Sequence, residues 1–360
     1  MNGRSSVLPS AILGVLLAVF LGGAIWVILG SPDSVAGTGL SLPAGASRDP
    51  VYITVQKGDN ASTIGKRLQS SGIIESGTAF KRLAKLTGAE RKLAAGEYEF
   101  VPGTSVLDAL SRIRDGLTAA RIVAVPEGMR VEEIANLLDR RGVVKASDFL
   151  AAANALATSG SGIDADLLQS RPRSSTLEGY LYPATYGFNR SVGANEAVLQ
   201  MIKALSDRLT PELREEARSQ GLTLHQVLTL ASIVDREVVL PEERTLIASV
   251  YRNRLKLDMP LQADPTVQYA IASRPGSIVE FGYWKRQLSY QDLAFDSSYN
   301  TYARKGLPPG PISSPGIDSI LAVIRPAKTD YLYFVARNDG SHAFSNTFEE
   351  HQRNVQRYQP

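Results

Sequence analysis

From Val7 to Gly30 the chain reads VLPSAILGVLLAVFLGGAIWVILG, without one charged side chain. At about 1.5 Å per residue, a helix of this length crosses a hydrocarbon core of about 30 Å. Secretory h-regions are usually shorter, about 7–15 residues. Although Ser34-Val35-Ala36 has the small side chains of a cleavage site, the stretch therefore reads as an uncleaved transmembrane helix. Everything after it must then fold on one side of a bilayer. Arg4 and the amino terminus precede the span, whereas Asp33 and the long remainder follow it. The positive-inside bias makes residues 1–6 a cytoplasmic tail and leaves the body outside the cytoplasm. Residues 31–50 (SPDSVAGTGLSLPAGASRDP), rich in Gly, Ser and Pro, read as a flexible linker.

The remainder of the 360 residues is long enough for more than one domain, and 44% hydrophobic content excludes wholesale disorder. A net charge of +3, spread over 39 basic and 36 acidic residues, is too dispersed for a nucleic-acid partner. With no cysteine there is no thiolate zinc site, and His225, His342 and His351 are too scattered to suggest a metal cluster. No metal is expected.

An internal echo follows the linker. Ile53–Ile74 (ITVQKGDNASTIGKRLQSSGII) and Val123–Val144 (VAVPEGMRVEEIANLLDRRGVV) superpose, matching Val55 with Val125, Gly58 with Gly128, Ile64 with Ile134, Leu68 with Leu138 and Gly72 with Gly142. Each reads as a strand, a glycine turn and an amphipathic helix closed by glycine. Residues 94–116 repeat the plan, with alternation in Glu97–Val101 and then Val106, Leu107, Leu110 and Ile113 at helical spacing. These three units predict a compact α+β module over residues 51–145. A mainly helical bridging region, 146–220, follows, interrupted by TLEGYLYPATYGF (Thr176–Phe188), whose Tyr, Gly and Pro density suits helix poorly. A mixed α/β domain is expected over 221–360. Its signals are an N-cap at Thr223, cap-plus-proline pairs at Asp264-Pro265 and Ser314-Pro315, a hairpin over Tyr331–Phe344 turning at Asp339-Gly340, and a helix from Thr347 to Tyr358.

The helix after Thr223 ends in LTLASIVDRE (Leu228–Glu237), an apolar run closed by two acids. Two positions on a helix turn through about 200°, so Asp235 and Glu237 face different directions and cannot grip one bond. Glu237 lies over Ile233 and Val234, Asp235 over Ala231 and Ser232. A glutamate against apolar side chains loses hydration in its charged form, and its pKa climbs from about 4.3 towards working pH, as a general acid requires. The alternative is a solvated glutamate, or one neutralised by Arg236, Arg244 or Arg252. Other candidates carry similar alternatives: Glu178 as a loop-ordering carboxylate, Asp264 as a helix cap, Gln262 as a surface residue, and the turn GLPPGPISSPG (Gly306–Gly316) as a connector. His225 and His342 read as structural.

Together LTLASIVDRE, LQADPTVQYA (Leu261–Ala270), YNTYARKGLPPGPISSPG (Tyr299–Gly316), YLYFVARNDGSHAFS (Tyr331–Ser345) and TLEGYLYP resemble, block for block and in order, the endolytic murein transglycosylase family, also called MltG or YceG-like. The resemblance implies a bacterial inner-membrane enzyme, single-pass, with its catalytic region on the periplasmic side. Its expected activity is cleavage of peptidoglycan glycan strands between N-acetylmuramic acid and N-acetylglucosamine, leaving 1,6-anhydro ends and terminating nascent strands. It also implies a LysM-like module near the N terminus, no cofactor, and peptidoglycan synthases as neighbours. The family's catalytic glutamate falls on Glu237. Asp235 stands where the family usually has Glu, which argues against a direct role for it. Glu178, Tyr180, Gln262, Asp264, Thr266, Asn300, Thr301 and Tyr302 match blocks around the family's cleft and are expected to bind substrate. A hydrolytic muramidase, with Glu178 or Asp264 activating water, and a membrane-tethered glycan-binding scaffold are the alternative readings.

Overall fold

The computed structural model describes residues 49–359. The expected cytoplasmic tail, membrane span and nearly all of the linker lie outside the described residues. Among the described residues no helix is long and apolar enough to cross a membrane. The chain divides into two compact units, one ending at Ala119 and the other beginning at Ala120. Both mix helices with small two-stranded antiparallel sheets, an α+β architecture.

In the first unit, β1 (Val51–Val55) leads into α1 (Ala61–Ser70) and α2 (Gly77–Leu86), and β2 (Gly96–Phe100) returns antiparallel to β1 with Ile53 opposite Tyr98. Helix α3 (Val106–Arg114) closes the unit. Asn60 caps α1 by accepting from the backbone N–H of Ser62 and Thr63, and Ser76 and Ser105 cap the next two helices in the same way. Alternation in the strands and the 3–4 spacing in the helices bring Ile53, Val55, Ile64, Leu68, Phe80, Tyr98 and Ile113 into one core. Helices α1 and α2 cross at Gly65 and Gly77, where a Cβ on Gly65 would stand 2.5 Å from the Gly77 carbonyl oxygen.

The second unit starts with β3 (Arg121–Ala124) and α4 (Val131–Arg140), so the third strand–turn–helix segment does not belong with the other two. Its strand pairs instead with β4 (Thr185–Phe188), Val123 opposite Tyr186, and Ile134 and Leu138 enter the larger core. Helices α5 (Ala146–Ser159), α6 (Ala165–Leu168), α7 (Ala194–Arg208) and α8 (Pro211–Ser219) belong to the same unit, with α5 packed against α4 and α7. Helix α9 (Leu224–Glu237) is buried on every face from Val227 to Val234, which explains its unbroken apolar run. Thr223 and Gln226 form a reciprocal capping box at its start. Around it pack α10 (Arg244–Lys256), α11 (Asp264–Ala272) and α14 (Ile317–Ile324), with short α12 (Ser277–Phe281) and α13 (Tyr290–Leu293) on the connection between α11 and α14.

Two expected caps are shifted. The α11 cap position is Ala263, with Asp264 already helical, and the α14 cap is Gly316 rather than Ser314. In both cases the proline sits at or beyond the end of an extended approach, so the helix starts one or two residues from where the pair alone places it. The C-terminal hairpin is present as β5 (Tyr333–Ala336) and β6 (His342–Ser345), with α15 (Phe348–Tyr358) capped by Thr347.

Candidate active site

Helix α9 ends at Glu237 because Val238 turns extended, and this end opens on a cleft of about 430 Å³. Glu237, Tyr251 and Arg254 from the α9–α10 pair, Gln262 and Asp264 from the approach to α11, and Tyr302 line one part of it. The hairpin supplies Phe334 and His342, and α15 supplies Phe348 and His351. The cleft therefore gathers residues from segments more than a hundred positions apart.

Glu237 Oε1 accepts a hydrogen bond of 2.9 Å from Tyr251 Oη, and among the described residues no donor or ion pair reaches its other oxygen. Burial pushes the Glu237 carboxyl up to about 7, and the nearby Asp264 charge adds to the rise. The Tyr251 hydrogen bond and the Arg236 charge act in the opposite direction. The C-terminal end of α9, with its unpaired carbonyls, also disfavours a negative charge there.

The three arginines that could have neutralised Glu237 are occupied or turned elsewhere. Arg236 stacks 4.0 Å above the Trp284 ring, Arg244 faces Asp318 at 3.7 Å, and Arg252 lies on another face of α10. Asp235 points away, accepting 2.5 Å from Ser319 Oγ of α14. The two acids thus have different surroundings, as the helical rotation requires.

Of the expected substrate-binding residues, Gln262, Asp264 and Tyr302 share the cleft with Glu237. Tyr302 Oη donates to Asp264 Oδ1 at 2.6 Å, and Gln262 Oε1 accepts from Arg254 at 3.2 Å. Gln262 has φ 51°, a left-handed conformation unusual for a residue with a side chain, held by its N–H to the Thr301 carbonyl at 3.1 Å. The structure does not place the other five on the cleft lining. Asn300, 0% exposed, donates to the Leu293 and Phe295 carbonyls and accepts from the Tyr302 N–H. Thr266 and Thr301 are buried against each other at 2.8 Å, and Thr301 Oγ1 also accepts from the Ala263 N–H. Glu178 accepts from the Val131 N–H at the start of α4, and burial holds its carboxyl well above the usual range.

Tyr180 Oη donates to His225 Nδ1 at 2.9 Å, while His225 Nε2 donates to the Pro309 carbonyl at 2.8 Å. These polar atoms are committed to internal bonds, so the residues orient the loops that carry the cleft and do not face it themselves. At Gly179, φ 80°, a Cβ would stand 2.3 Å from Pro311, so the loop and the proline-rich turn meet where only glycine fits. That turn is tied to α9 through the Ile312 N–H to Ser232 Oγ, 3.0 Å.

His225 and His342 both have the structural place expected of them, and His342 also lines the cleft. Glu243, itself buried, takes the His342 Nδ1 at 2.6 Å and the His342 N–H at 2.9 Å, fixing the ring on the cleft wall. Arg254 was not anticipated. It donates to the Leu332, Pro260 and Leu261 carbonyls at 2.6, 3.2 and 2.8 Å, and so clamps the hairpin to the approach of α11. The sequence signal for His342 was its place in an alternating strand, but its partner lies 99 positions away.

A helix-end glutamate half-enclosed in a polar cleft, without an ion-pair partner, is the arrangement of a single-acid general catalyst. The YceG-like family model matches residues 53–357, and the chain belongs to that family. The endolytic murein transglycosylase of Bacillus subtilis is 32% identical over 319 residues, covering 87% of this chain and 86% of that protein. The endolytic murein transglycosylase of Streptococcus pneumoniae serotype 2 is also 32% identical, over 338 residues, 87% of this chain and 59% of the pneumococcal protein. A crystal structure of a YceG-like protein of Listeria monocytogenes covers 85% of this chain and 99% of its own, with 34% identity and a TM-score of 0.57.

Proposed function

We propose that the protein is a peptidoglycan lytic transglycosylase that cleaves glycan strands endolytically between N-acetylmuramic acid and N-acetylglucosamine. The observation that carries this reading is Glu237, pushed up to about 7 in a cleft that also holds Gln262, Asp264 and Tyr302. The names borne by relatives at 32% identity support it. Protonated Glu237 donates to the glycosidic oxygen as C1 of the muramic acid gains oxocarbenium character. The resulting carboxylate, steadied by Tyr251, then takes the proton of the sugar's own C6 hydroxyl as that oxygen closes onto C1. One residue serves as acid and then base, so no second carboxylate is required, and the products are a 1,6-anhydro end and a free 4-hydroxyl. Gln262 and the carboxylate of Asp264 offer hydrogen bonds to N-acetyl and hydroxyl groups, and the Tyr302 ring offers an apolar face to a sugar.

Asp264 in the same cleft favours one second reading, hydrolysis with that carboxylate activating water. Mass spectrometry of digested strands separates the two, because hydrolysis adds the mass of water, about 18 units, to each new end. Anhydro ends support the first reading, and hydrated reducing ends overturn it.

The remaining parts of the reading concern location. We place residues 7–30 across the inner membrane, with the enzyme on its periplasmic side beside the synthases whose nascent strands it terminates. The strand–helix–helix–strand order of the first unit supports a LysM-like role in holding glycan.

Tyr251→Phe tests the protonation step. Because the tyrosine's hydrogen bond lowers the Glu237 pKa, its removal raises it further. The acid then stays protonated to higher pH, so the alkaline limb of the rate profile moves upward, by roughly one unit for a bond to a charged group. An unmoved or lowered limb in initial-rate measurements contradicts the assignment.

A further inference from the structure

A second cleft, about 690 Å³ and larger than the one at Glu237, lies on another face of α10. Ser249, Arg252, Asn253 and Lys256, at positions i, i+3, i+4 and i+7, form that helical face, whereas Tyr251 and Arg254 face the Glu237 cleft. The opposite wall is the segment Arg325–Asp330. This wall is anchored: Asn253 Nδ2 donates to the Thr329 and Tyr331 carbonyls at 2.7 and 3.1 Å, Ser249 and Thr329 share a hydroxyl bond of 2.8 Å, and the Ala327 N–H reaches the Thr245 carbonyl at 3.1 Å. Lys328 therefore rides on a segment whose position is fixed by its neighbours.

The charges of this cleft do not balance. Arg325 and Glu216 neutralise each other through a two-pronged pair at 2.8 and 2.7 Å. Arg252, Lys256 and Lys328 remain against Asp330 alone, and none of these four has an ion-pair partner within 4.0 Å among the described residues. Arg252 is half-buried, its guanidinium offering Nη1 only at 3.4 Å to the Val323 carbonyl, and burial lowers its pKa. A partly desolvated arginine without a carboxylate, with Lys256 beside it on the helix and Lys328 on the opposite wall, matches a multiply charged anion with several acceptor oxygens. The mechanism above makes no use of these side chains.

We propose that this cleft binds a phosphate-bearing ligand, recognised through Arg252, Lys256 and Lys328 and not through the glycan-cutting site. A lipid headgroup and a soluble or polymer-borne phosphate share that chemistry.

The test is calorimetric titration of the full chain in a non-ionic detergent with inorganic pyrophosphate. Binding is expected to weaken steeply with added salt, by about tenfold or more in Arg252→Gln, and measurably in Lys328→Gln, whose exposed side chain leaves folding undisturbed. Glycan cleavage by both variants should remain at the wild-type rate. Monomeric short-chain phosphatidylglycerol run in parallel distinguishes the source: tighter binding than pyrophosphate identifies a lipid headgroup, weaker binding a soluble or polymeric phosphate. The proposal is overturned by absence of binding with every phosphate probe, by unchanged affinity in both variants, or by citrate, a tricarboxylate of about the same charge at neutral pH, binding as tightly as pyrophosphate.

Discussion

Glu237→Gln is expected to abolish formation of anhydro ends, with a fall in turnover of about 10²–10⁴-fold, the range spanned by general acid–base catalysis. The amide keeps the size of the carboxyl and can still accept from Tyr251, so glycan binding and the fold should persist. Stability gives this variant a second signature. A carboxyl whose folded pKa lies near 7 and whose ordinary value is 4.5 holds its proton more tightly in the folded chain. Its favourable contribution is complete below 4.5 and is lost as pH rises through 7. Above that window the wild-type protein carries a buried charge that the amide lacks. Glu237→Gln should therefore be the more stable protein at pH 8, by about 1–3 kcal/mol, with the difference shrinking towards pH 4. Chemical denaturation at the two pH values checks the sign. Equal stability at both would contradict the burial argument, and undiminished turnover would contradict the catalytic one.

Arg254→Met should produce the largest loss of stability among cleft substitutions. Methionine follows much of the apolar path of the arginine stem but offers no donors. The Leu332, Pro260 and Leu261 carbonyls and Gln262 Oε1 would then lose their shared partner. Each buried acceptor left unmade costs about 1–3 kcal/mol, and relaxation and water entry recover part of the sum, leaving about 3–5 kcal/mol. The Gln262 backbone, held at φ 51°, should relax once its side chain is released, so activity should fall even below the unfolding midpoint. A midpoint within experimental error of the wild type would show that the clamp is not needed.

The site was legible in the sequence where local pattern decides the outcome. Thr223 and Gln226 announce the start of α9, the uninterrupted apolar run announces its burial, and the rotation between positions 235 and 237 separates the two acids. Gln262, Asp264 and Tyr302 followed from block resemblance, and they share one cleft with Glu237.

What was not legible depends on distant partners. Strand β3 repeats the pattern of β1, yet its pairing is decided by β4, hidden in a segment dense in Tyr, Gly and Pro. Glu178, Tyr180, Thr266, Asn300 and Thr301 sit in the right blocks but are turned inward, because each finds a backbone or side-chain partner that only the folded chain supplies. The place of His342 on the cleft wall and the clamp made by Arg254 were missed for the complementary reason: Glu243 lies 99 positions from His342, and Leu332, whose carbonyl ties Arg254 to the hairpin, lies 78 positions from it.

The central claim is that the folded chain keeps one acid protonated near neutral pH at the end of a buried helix. Carbon-13 titration of the Glu237 side-chain carboxyl in the full chain measures this directly, with Glu237→Gln identifying the resonance. The account predicts a midpoint near 7, moved higher in Tyr251→Phe. A midpoint near 4.5, unchanged by that substitution, would contradict it.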